Sequence, residues 1–446
     1  MPDWTALKEC GLFDALSESG REQFLPPGIF YWSGRAKKEA DINATIGSAW
    51  GPAGEIGQQG ASTTFYLPSL HTGFAGISPE QVFSYAPILG VASFRQTWRE
   101  WILEKCRPSG RELADLISTP AVASGITGGI ASVAGLFVTP GESITLPDRY
   151  WGNYNNVLVR NIGARITTYP FYDGKDFNVA AMKTAVDESL ASQGKAVVLL
   201  NFPNNPTGFT PTAATAQQIA QALEQSAVES GKWVIAMCDD AYEGFTYTRD
   251  CLQHSIFAEI AGKRGVLAVK LDGISKEFLW YGGRVGCITF AVPETMVPRK
   301  DLVTGELEEK LSAVIRSSIS NCNHPVQEIV ADGIRDKLGA LLAERARVID
   351  VLAKRWEVYN REMEKADLAV LKPLASNSGF FALVDLVSAK AEEVAEILMT
   401  THRVGVVPIA ASGRQSLRIA FCSVPQENIP KMVDAVFAAA AEASRR

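Results

Sequence analysis

The chain has 446 residues, 47% of them hydrophobic and 21% charged, with a net charge of -6. That length and apolar content can bury a large core and suggest two or three domains. The acidic balance, with no dense Lys/Arg stretch, argues against a nucleic-acid partner or an anionic membrane surface, and no segment approaches the ~20 apolar residues of a bilayer span.

The opening "MPDWTALKECGLFDALSESG" carries no basic-then-apolar leader, so a cytoplasmic location is expected. Seven scattered cysteines without a C-x-x-C pair read as reduced thiols, and only four histidines, with no His/Cys cluster of metal-ligand spacing, argue against a zinc centre. The stretch "NATIGSAWGPAGEIGQQGASTTF" lacks strong periodicity and reads as an arm that packs on another subunit. The chain carries no internal repeat.

Next, "ASGITGGIASVAGLF" places Gly125 and Thr127 ahead of small and apolar residues at helical spacing, which predicts a helix beginning near Thr127. Its first N-H groups could face a ligand, or the glycines could simply ease a core helix start. From about residue 120 to 320, helical text alternates with the short apolar runs "ESITLP", "ARITTYPF", "KAVVLL", "KWVIAMC", "GVLAVKL" and "VGCITFAV". This predicts βα units around a mostly parallel sheet with helices on both faces.

The ends of those runs are polar. "KAVVLL" stops at "NFPNNPTGFTP", "KWVIAMC" runs into Asp239, Asp240, Ala241 and Tyr242, "GVLAVKLDGIS" runs into Lys276, and "SITLPD" runs into "RYWGNYNN". In open α/β sheets such loops line the ligand crevice, although Asn, Pro and Gly are also what any tight turn uses. A lysine just past a buried strand can lose part of its hydration, which lowers its pKa and frees the amine for Schiff-base chemistry; a solvated loop lysine is the plain alternative. Arg284 precedes the next strand, so it reaches the same edge only if that strand runs antiparallel, as the short "EFLWYGG" link suggests. Beyond "NHPVQEIVADG", the charged helix "KLGALLAERARVIDVLAKRWEVYNREMEKA" and the runs "FFALVDLV", "GVVPIA" and "SLRIAF" predict a smaller α+β domain.

Five motifs, in order, resemble the fold-type I pyridoxal-phosphate aminotransferases of class I/II, the aspartate and aromatic group, over residues 40 to 440: N-N-P-T-G at 204 to 208, D-D-A-Y at 239 to 242, S-K at 275 and 276, G-x-R-x-G at 282 to 286, and R-I-A-F at 418 to 421. The resemblance implies a seven-stranded-type sheet in a large domain over 71–322, a small domain over 323–446, and an arm with part of the small domain in 1–70. It implies pyridoxal 5'-phosphate as cofactor and transfer of an amino group between an L-amino acid and a 2-oxo acid, 2-oxoglutarate being one partner.

By that resemblance, Lys276 forms the Schiff base and moves the Cα proton, while Asp239, rather than Asp240, faces the pyridine nitrogen. Asp240 is then a loop or helix-cap neighbour. Asn205 and Tyr242 would donate to the phenolate oxygen, and Trp151 would stack on the ring. Gly125, Ile126, Thr127, Ser275 and Arg284 would hold the phosphate, with Tyr85 reaching it from the partner of a homodimer. Gly273 replaces a common phosphate-binding serine, and Gly125 takes the first cup position. Arg418, Asn205 and Gly47 would bind substrate, and Arg316 would read a distal carboxylate across the dimer interface. A lyase or decarboxylase at the same cofactor, or a non-catalytic ligand sensor, are the competing readings.

Overall fold

Within each strand of the main sheet, neighbouring residues go to different cores. Val197 and Leu199 join one apolar cluster, and Ala196, Val198 and Leu200 the other. This period of two, with both faces covered, is why the runs read as continuously apolar. The computed structural model describes residues 3–24, 28–56, 64–411 and 413–445. Residues 57–63, part of the stretch read as an arm, lie outside the described residues.

The main sheet has seven strands: β1 (Ala121–Ala123), β2 (Ser143–Pro147), β3 (Arg165–Tyr169), β4 (Ala196–Asn201), β5 (Val234–Asp239), β6 (Val266–Gly273) and β7 (Gly286–Ala291). They lie in the order β1-β7-β6-β5-β4-β2-β3. β7 alone runs against the rest, pairing antiparallel with β6 and with β1. β1 has three residues, too short to register as a strand in the sequence. Helices α1 (Ala92–Cys106) and α2 (Gly125–Phe137) cover opposite faces, each in its own core. Helix α2 begins two residues before the predicted start.

The second sheet is antiparallel and holds β8 (Leu371–Pro373), β9 (Ala382–Leu386), β10 (Val407–Ala411) and β11 (Arg414–Ile419) in the order β8-β9-β11-β10. Its core includes Trp32 and Ala36 from the helix Ile29–Glu39, which periodicity did not reveal. Ile42 and Asn43 add a parallel bridge to Val404 and Gly405. One helix, α3 (His324–Met363), joins the two bodies: Val326 to Leu352 pack in the large core and Val358 to Met363 in the small one, with a non-helical break at Lys337. It starts 13 residues before the predicted charged helix, at the Asn323 cap.

The Asn/Pro loop after β4 is docked onto the segment preceding β9. The Gly208 carbonyl accepts from the backbone N-H groups of Asn377 (2.8 Å) and Ser378 (2.9 Å), and Thr210 N donates to Asn377 Oδ1 at 2.8 Å. Gly208 has φ +70°, and a Cβ there would stand 2.0 Å from the Phe381 carbonyl oxygen. Both the conformation and the approach require glycine. Gly208→Ala should therefore cost about 2 to 4 kcal/mol, measured by urea unfolding; a loss below ~0.5 kcal/mol would mean the loop docks with room to spare.

Candidate active site

The C-terminal ends of β4 and β5, the turn after β6 and the first turn of α2 meet at a cavity of about 230 Å³. Ile126, Thr127, Trp151, Asn205, Asp239, Tyr242, Ser275, Lys276 and Arg284, all expected from the sequence, line it together with Asn201 and Ala241. Parallel strands end on one edge, so residues from 126 to 284 converge there.

Lys276 is half-buried at the cavity wall, and desolvation lowers its pKa against the opposing pull of Asp239; the Arg284 charge lowers it further. Its Nζ stands 5.3 Å from the centroid of the Tyr242 ring. The neutral amine that imine chemistry needs is thus favoured by burial. Asp239 has its pKa raised by burial, opposed by bonds from the Tyr154 hydroxyl to Oδ2 (2.5 Å) and from Ala241 N to Oδ1 (3.1 Å), and by Lys276. Those donors hold the carboxylate ready for a positively charged partner. Tyr154 comes from "RYWGNYNN", where nothing marks it apart from the neighbouring aromatics; only the fold brings it to Asp239.

The other end of the cavity is built for an anion. Ser124, at the N-cap of α2, makes no side-chain cap bond, so the first N-H groups of the helix lack that partner. Gly125 (φ +67°) lies under the Arg284 guanidinium, whose Nη2 would be 2.2 Å from a Cβ. Arg284 Nη1 donates to Ser275 Oγ (3.3 Å) and to the Tyr281 carbonyl (3.2 Å). Gly273 is opposite Gly286 in the β6–β7 register, and a Cβ on Gly273 would meet the Val285 carbonyl at 2.7 Å. There is no space for a serine at that position, while the Ser275 hydroxyl lies beside Arg284 on the cavity wall.

Asn205 and Arg418 form a second polar group. The Asn205 N-H donates to Asn201 Oδ1 (2.8 Å), and Asn201 Nδ2 donates to the Asp239 carbonyl (2.8 Å), so Asn201 ties the loop to β5. In the sequence Asn201 reads only as the first residue of a turn. Arg418, 4% exposed, donates through Nη1 to Asn205 Oδ1 (3.3 Å) and through Nη2 to the Thr45 carbonyl (2.9 Å), while Nε has no partner. Its guanidinium covers the Phe381 ring at 4.2 Å, and burial lowers its pKa to about 10. Gly47 packs on the same ring: a Cβ there would be 2.6 Å from Phe381 Cζ. A buried guanidinium without a carboxylate partner is a seat for an incoming carboxylate. Tyr242 is buried, which raises its pKa, opposed by Arg418 and by a bond with Asn205.

Tyr85 and Arg316 do not line the cavity of their own chain. Tyr85 is 89% exposed, and Arg316 is exposed on the helix Lys300–Ser318, where it donates to Ser320 Oγ. Asp240 is no helix cap. Its Oδ2 accepts from Lys270 Nζ (2.5 Å) and Ser255 Oγ (2.6 Å) in a buried ion network. The only candidate metal-ligand grouping among the described residues, Glu243, Asp272 and Glu277, already surrounds Lys105 Nζ at 2.7 to 3.2 Å.

A desolvated amine, a carboxylate for a ring nitrogen, an anion seat at a helix N-terminus and an orphaned guanidinium together fit pyridoxal phosphate and an amino-acid carboxylate. Fold and site thus define a pyridoxal-phosphate architecture of two α/β bodies. The chain belongs to the aminotransferase class I and II family, whose profile matches residues 77–436. Aspartate and aromatic aminotransferases of this family use pyridoxal 5'-phosphate. The chain is 24% identical over 371 residues to the cytoplasmic aspartate aminotransferase of Oryza sativa subsp. japonica, covering 81% of this chain and 83% of that one. To the mitochondrial aspartate aminotransferase of Schizosaccharomyces pombe it is 25% identical over 305 residues, 66% of this chain and only 63% of the relative's length. An aminotransferase structure from Anaerococcus prevotii superposes with TM-score 0.80 at 22% identity, covering 96% and 99% of the two chains. The kynurenine aminotransferase of Pyrococcus horikoshii gives 0.77 at 16%, covering 98% and 99%.

Removing the Tyr154 hydroxyl takes a donor from a buried carboxylate, which favours the protonated form. The Asp239 pKa should therefore rise, and Tyr154→Phe should lose activity at a higher pH on the acid side. At roughly 1.5 kcal/mol for a bond to a charged group, the acid limb of the kcat/KM profile should move up by about one pH unit. An unmoved limb would show that Tyr154 does not tune Asp239.

Proposed function

We propose that this protein is a pyridoxal-phosphate-dependent aminotransferase that moves an amino group between an L-amino acid and a 2-oxo acid, with 2-oxoglutarate as one partner. The observation that carries this reading is Lys276, half-buried and with its pKa lowered by desolvation, sharing one cavity with Asp239 and the α2 N-terminus. Bound pyridoxal phosphate supplies an aldehyde for imine exchange and a conjugated ring that accepts the electron pair released at Cα.

The chain's residues do the rest. Lys276 Nζ, its ammonium form disfavoured by desolvation, takes the Cα proton and returns it to the other side of the transfer. The Asp239 carboxylate keeps the ring nitrogen protonated, which a neutral side chain could not. Asn205 and Tyr242 donate to the phenolate oxygen, and Trp151 covers the ring. Arg284, Thr127, Ser275 and the backbone at Gly125 and Ile126 hold the phosphate. Arg418 clamps the α-carboxylate of every substrate, with Gly47 leaving room beside Phe381. We further infer a cytoplasmic homodimer, supported by free cysteines, six of the seven buried, and by the exposed apolar side chains Phe74, Phe83 and Tyr85, the last set to reach a partner's phosphate seat.

Purified protein given an L-amino acid and 2-oxoglutarate should form glutamate and a new 2-oxo acid without free ammonia, and Lys276→Ala should reduce this to background. Ammonia release would favour the lyase reading and carbon dioxide the decarboxylase. No turnover would favour the sensor.

The dimer and the distal-carboxylate role of Arg316 can be tested together. Loss of a buried charge pair costs roughly 2 to 5 kcal/mol, so Arg316→Ala should lower kcat/KM for 2-oxoglutarate at least about tenfold and leave pyruvate little changed. If Arg316 serves the partner's site, mixing Arg316→Ala with Lys276→Ala subunits restores one intact site per hybrid, or about a quarter of all sites after random exchange. No recovery on mixing would place Arg316 outside the partner's site.

A further inference from the structure

Behind the sheet, on the face away from Asp239, lies a second set of charged groups. Lys270 Nζ contacts Asp240 Oδ2 (2.5 Å), Glu243 Oε2 (2.8 Å) and Asp272 Oδ2 (3.8 Å), while Lys105 Nζ contacts Glu243 Oε2 (2.7 Å), Glu277 Oε2 (3.0 Å) and Asp272 Oδ2 (3.2 Å). All six side chains are nine-tenths or more buried. Trp98 Nε1 donates to Asp272 Oδ1 (2.9 Å) and Trp101 Nε1 to Glu277 Oε1 (2.6 Å), closing the network against α1.

Two features set it apart from an ordinary buried ion pair. Four carboxyls face two ammonium groups, an excess of negative charge that simple stability does not call for, since well-packed apolar residues serve as well or better. More tellingly, three of the carboxyls are the immediate chain neighbours of the site's reactive groups: Asp240 follows Asp239, Glu243 follows Tyr242 and Glu277 follows Lys276. Arg345 adds a clamp from helix α3, donating from Nη2 to the Glu243 carbonyl (2.6 Å) and from Nε to the Glu277 carbonyl (3.2 Å). Gly244, at φ +81°, leaves space for that guanidinium.

We propose that Lys105, Lys270, Asp240, Glu243, Asp272 and Glu277, with Arg345, form a positioning network that grips the chain one residue beyond Asp239, Tyr242 and Lys276 and so fixes those three groups from behind the sheet. Asp240 directly follows the last residue of β5, where adjacent side chains point to opposite faces; Glu243 lies in the turn beyond β5 and Glu277 ends the short helix Ile274–Glu277 beyond β6, so each held carboxyl fixes the backbone that carries its reactive neighbour.

The inference rests on the cofactor seat around Lys276, and its test keeps the two apart. Lys270→Met/Asp240→Asn removes one cation and one anion, which preserves the network's charge difference while releasing the grip at Asp240. This variant should unfold within a few degrees of wild type, yet its Kd for pyridoxal phosphate should rise about fivefold or more, with a weaker visible circular-dichroism band from the bound cofactor. Arg345→Gln, on a half-buried residue, should move Kd and band the same way and serves if the double variant does not fold. A folded variant with unchanged Kd and band overturns the network's role. Wild-type protein with no visible band in pyridoxal phosphate would overturn the seat and the network together.

Discussion

The site depends on how closely β7 can approach β6 and the first turn of α2. Because β7 runs antiparallel, the chain leaves β6, passes Lys276 in a tight turn and comes back through Arg284 to the same edge. The return is possible only where side chains are missing. A Cβ on Gly286 would lie 2.5 Å from the Gly125 carbonyl carbon, and one on Gly273 would lie 2.8 Å from Gly286 Cα. Three glycines, at 125, 273 and 286, therefore let a lysine, an arginine and a helix N-terminus share one small cavity. With any side chain at these positions the strand would have to move out and carry Arg284 away from the helix.

The sheet separates two treatments of buried charge. On the cofactor side, charges are left short of partners: Arg418 has an unbonded Nε and no carboxylate, and Lys276 is desolvated without an ion pair. On the far side, each lysine is met by three carboxyls within 4 Å, and only Asp240 Oδ1 and Glu243 Oε1 of that network lack a donor. Isolated buried charges cost several kcal/mol each unless paired. Ligand binding offsets that cost on one side, and intramolecular pairing offsets it on the other. Local destabilisation at a ligand seat is tolerable because the three apolar clusters and the interdomain helix α3 are indifferent to it.

Much of this could be read from sequence because strand ends are punctuated. The six runs read as strands from "ESITLP" to "VGCITFAV" all appear in the main sheet, and residues at the ends of four of them meet in the cavity, where Arg284 joins them from the start of β7. Antiparallel β7 followed from the short link before it. What escaped lacked a period or depended on tertiary contact. β1 is three residues long, the helix Ile29–Glu39 buries only Trp32 and Ala36, and Tyr154 matters only because β5 ends opposite it. Asp240 reads as a loop residue since nothing in "CDDAY" reveals that Lys270, thirty positions on, lies beneath it. Burial of charge is a property of three dimensions, and a single sequence carries no local sign of it.

The Arg418 guanidinium, the proposed seat for a substrate carboxylate, is set by neither body alone. Arg418 comes from β11 of the small sheet, its acceptor Asn205 from the loop after β4, and Thr45 from the segment that pairs with the small body. Two ion pairs link the same bodies nearby, Arg149 with Asp385 at 2.5 Å and Arg414 with Asp148. A carboxylate that satisfies Arg418 Nε therefore favours the relative placement in which all three segments meet. By linkage, whatever holds that placement also favours the carboxylate. The Gly208 docking of the Asn/Pro loop onto the segment before β9 keeps Asn205 within reach of Arg418 and makes the loop the mechanical connection between the cofactor and the small body. The stretch from Asn201 to Pro211 is thus more than a turn: it carries the proposed hydrogen-bond partner of the cofactor, Asn205, and the anchor to the small domain, Gly208 and Thr210, on one short piece of chain.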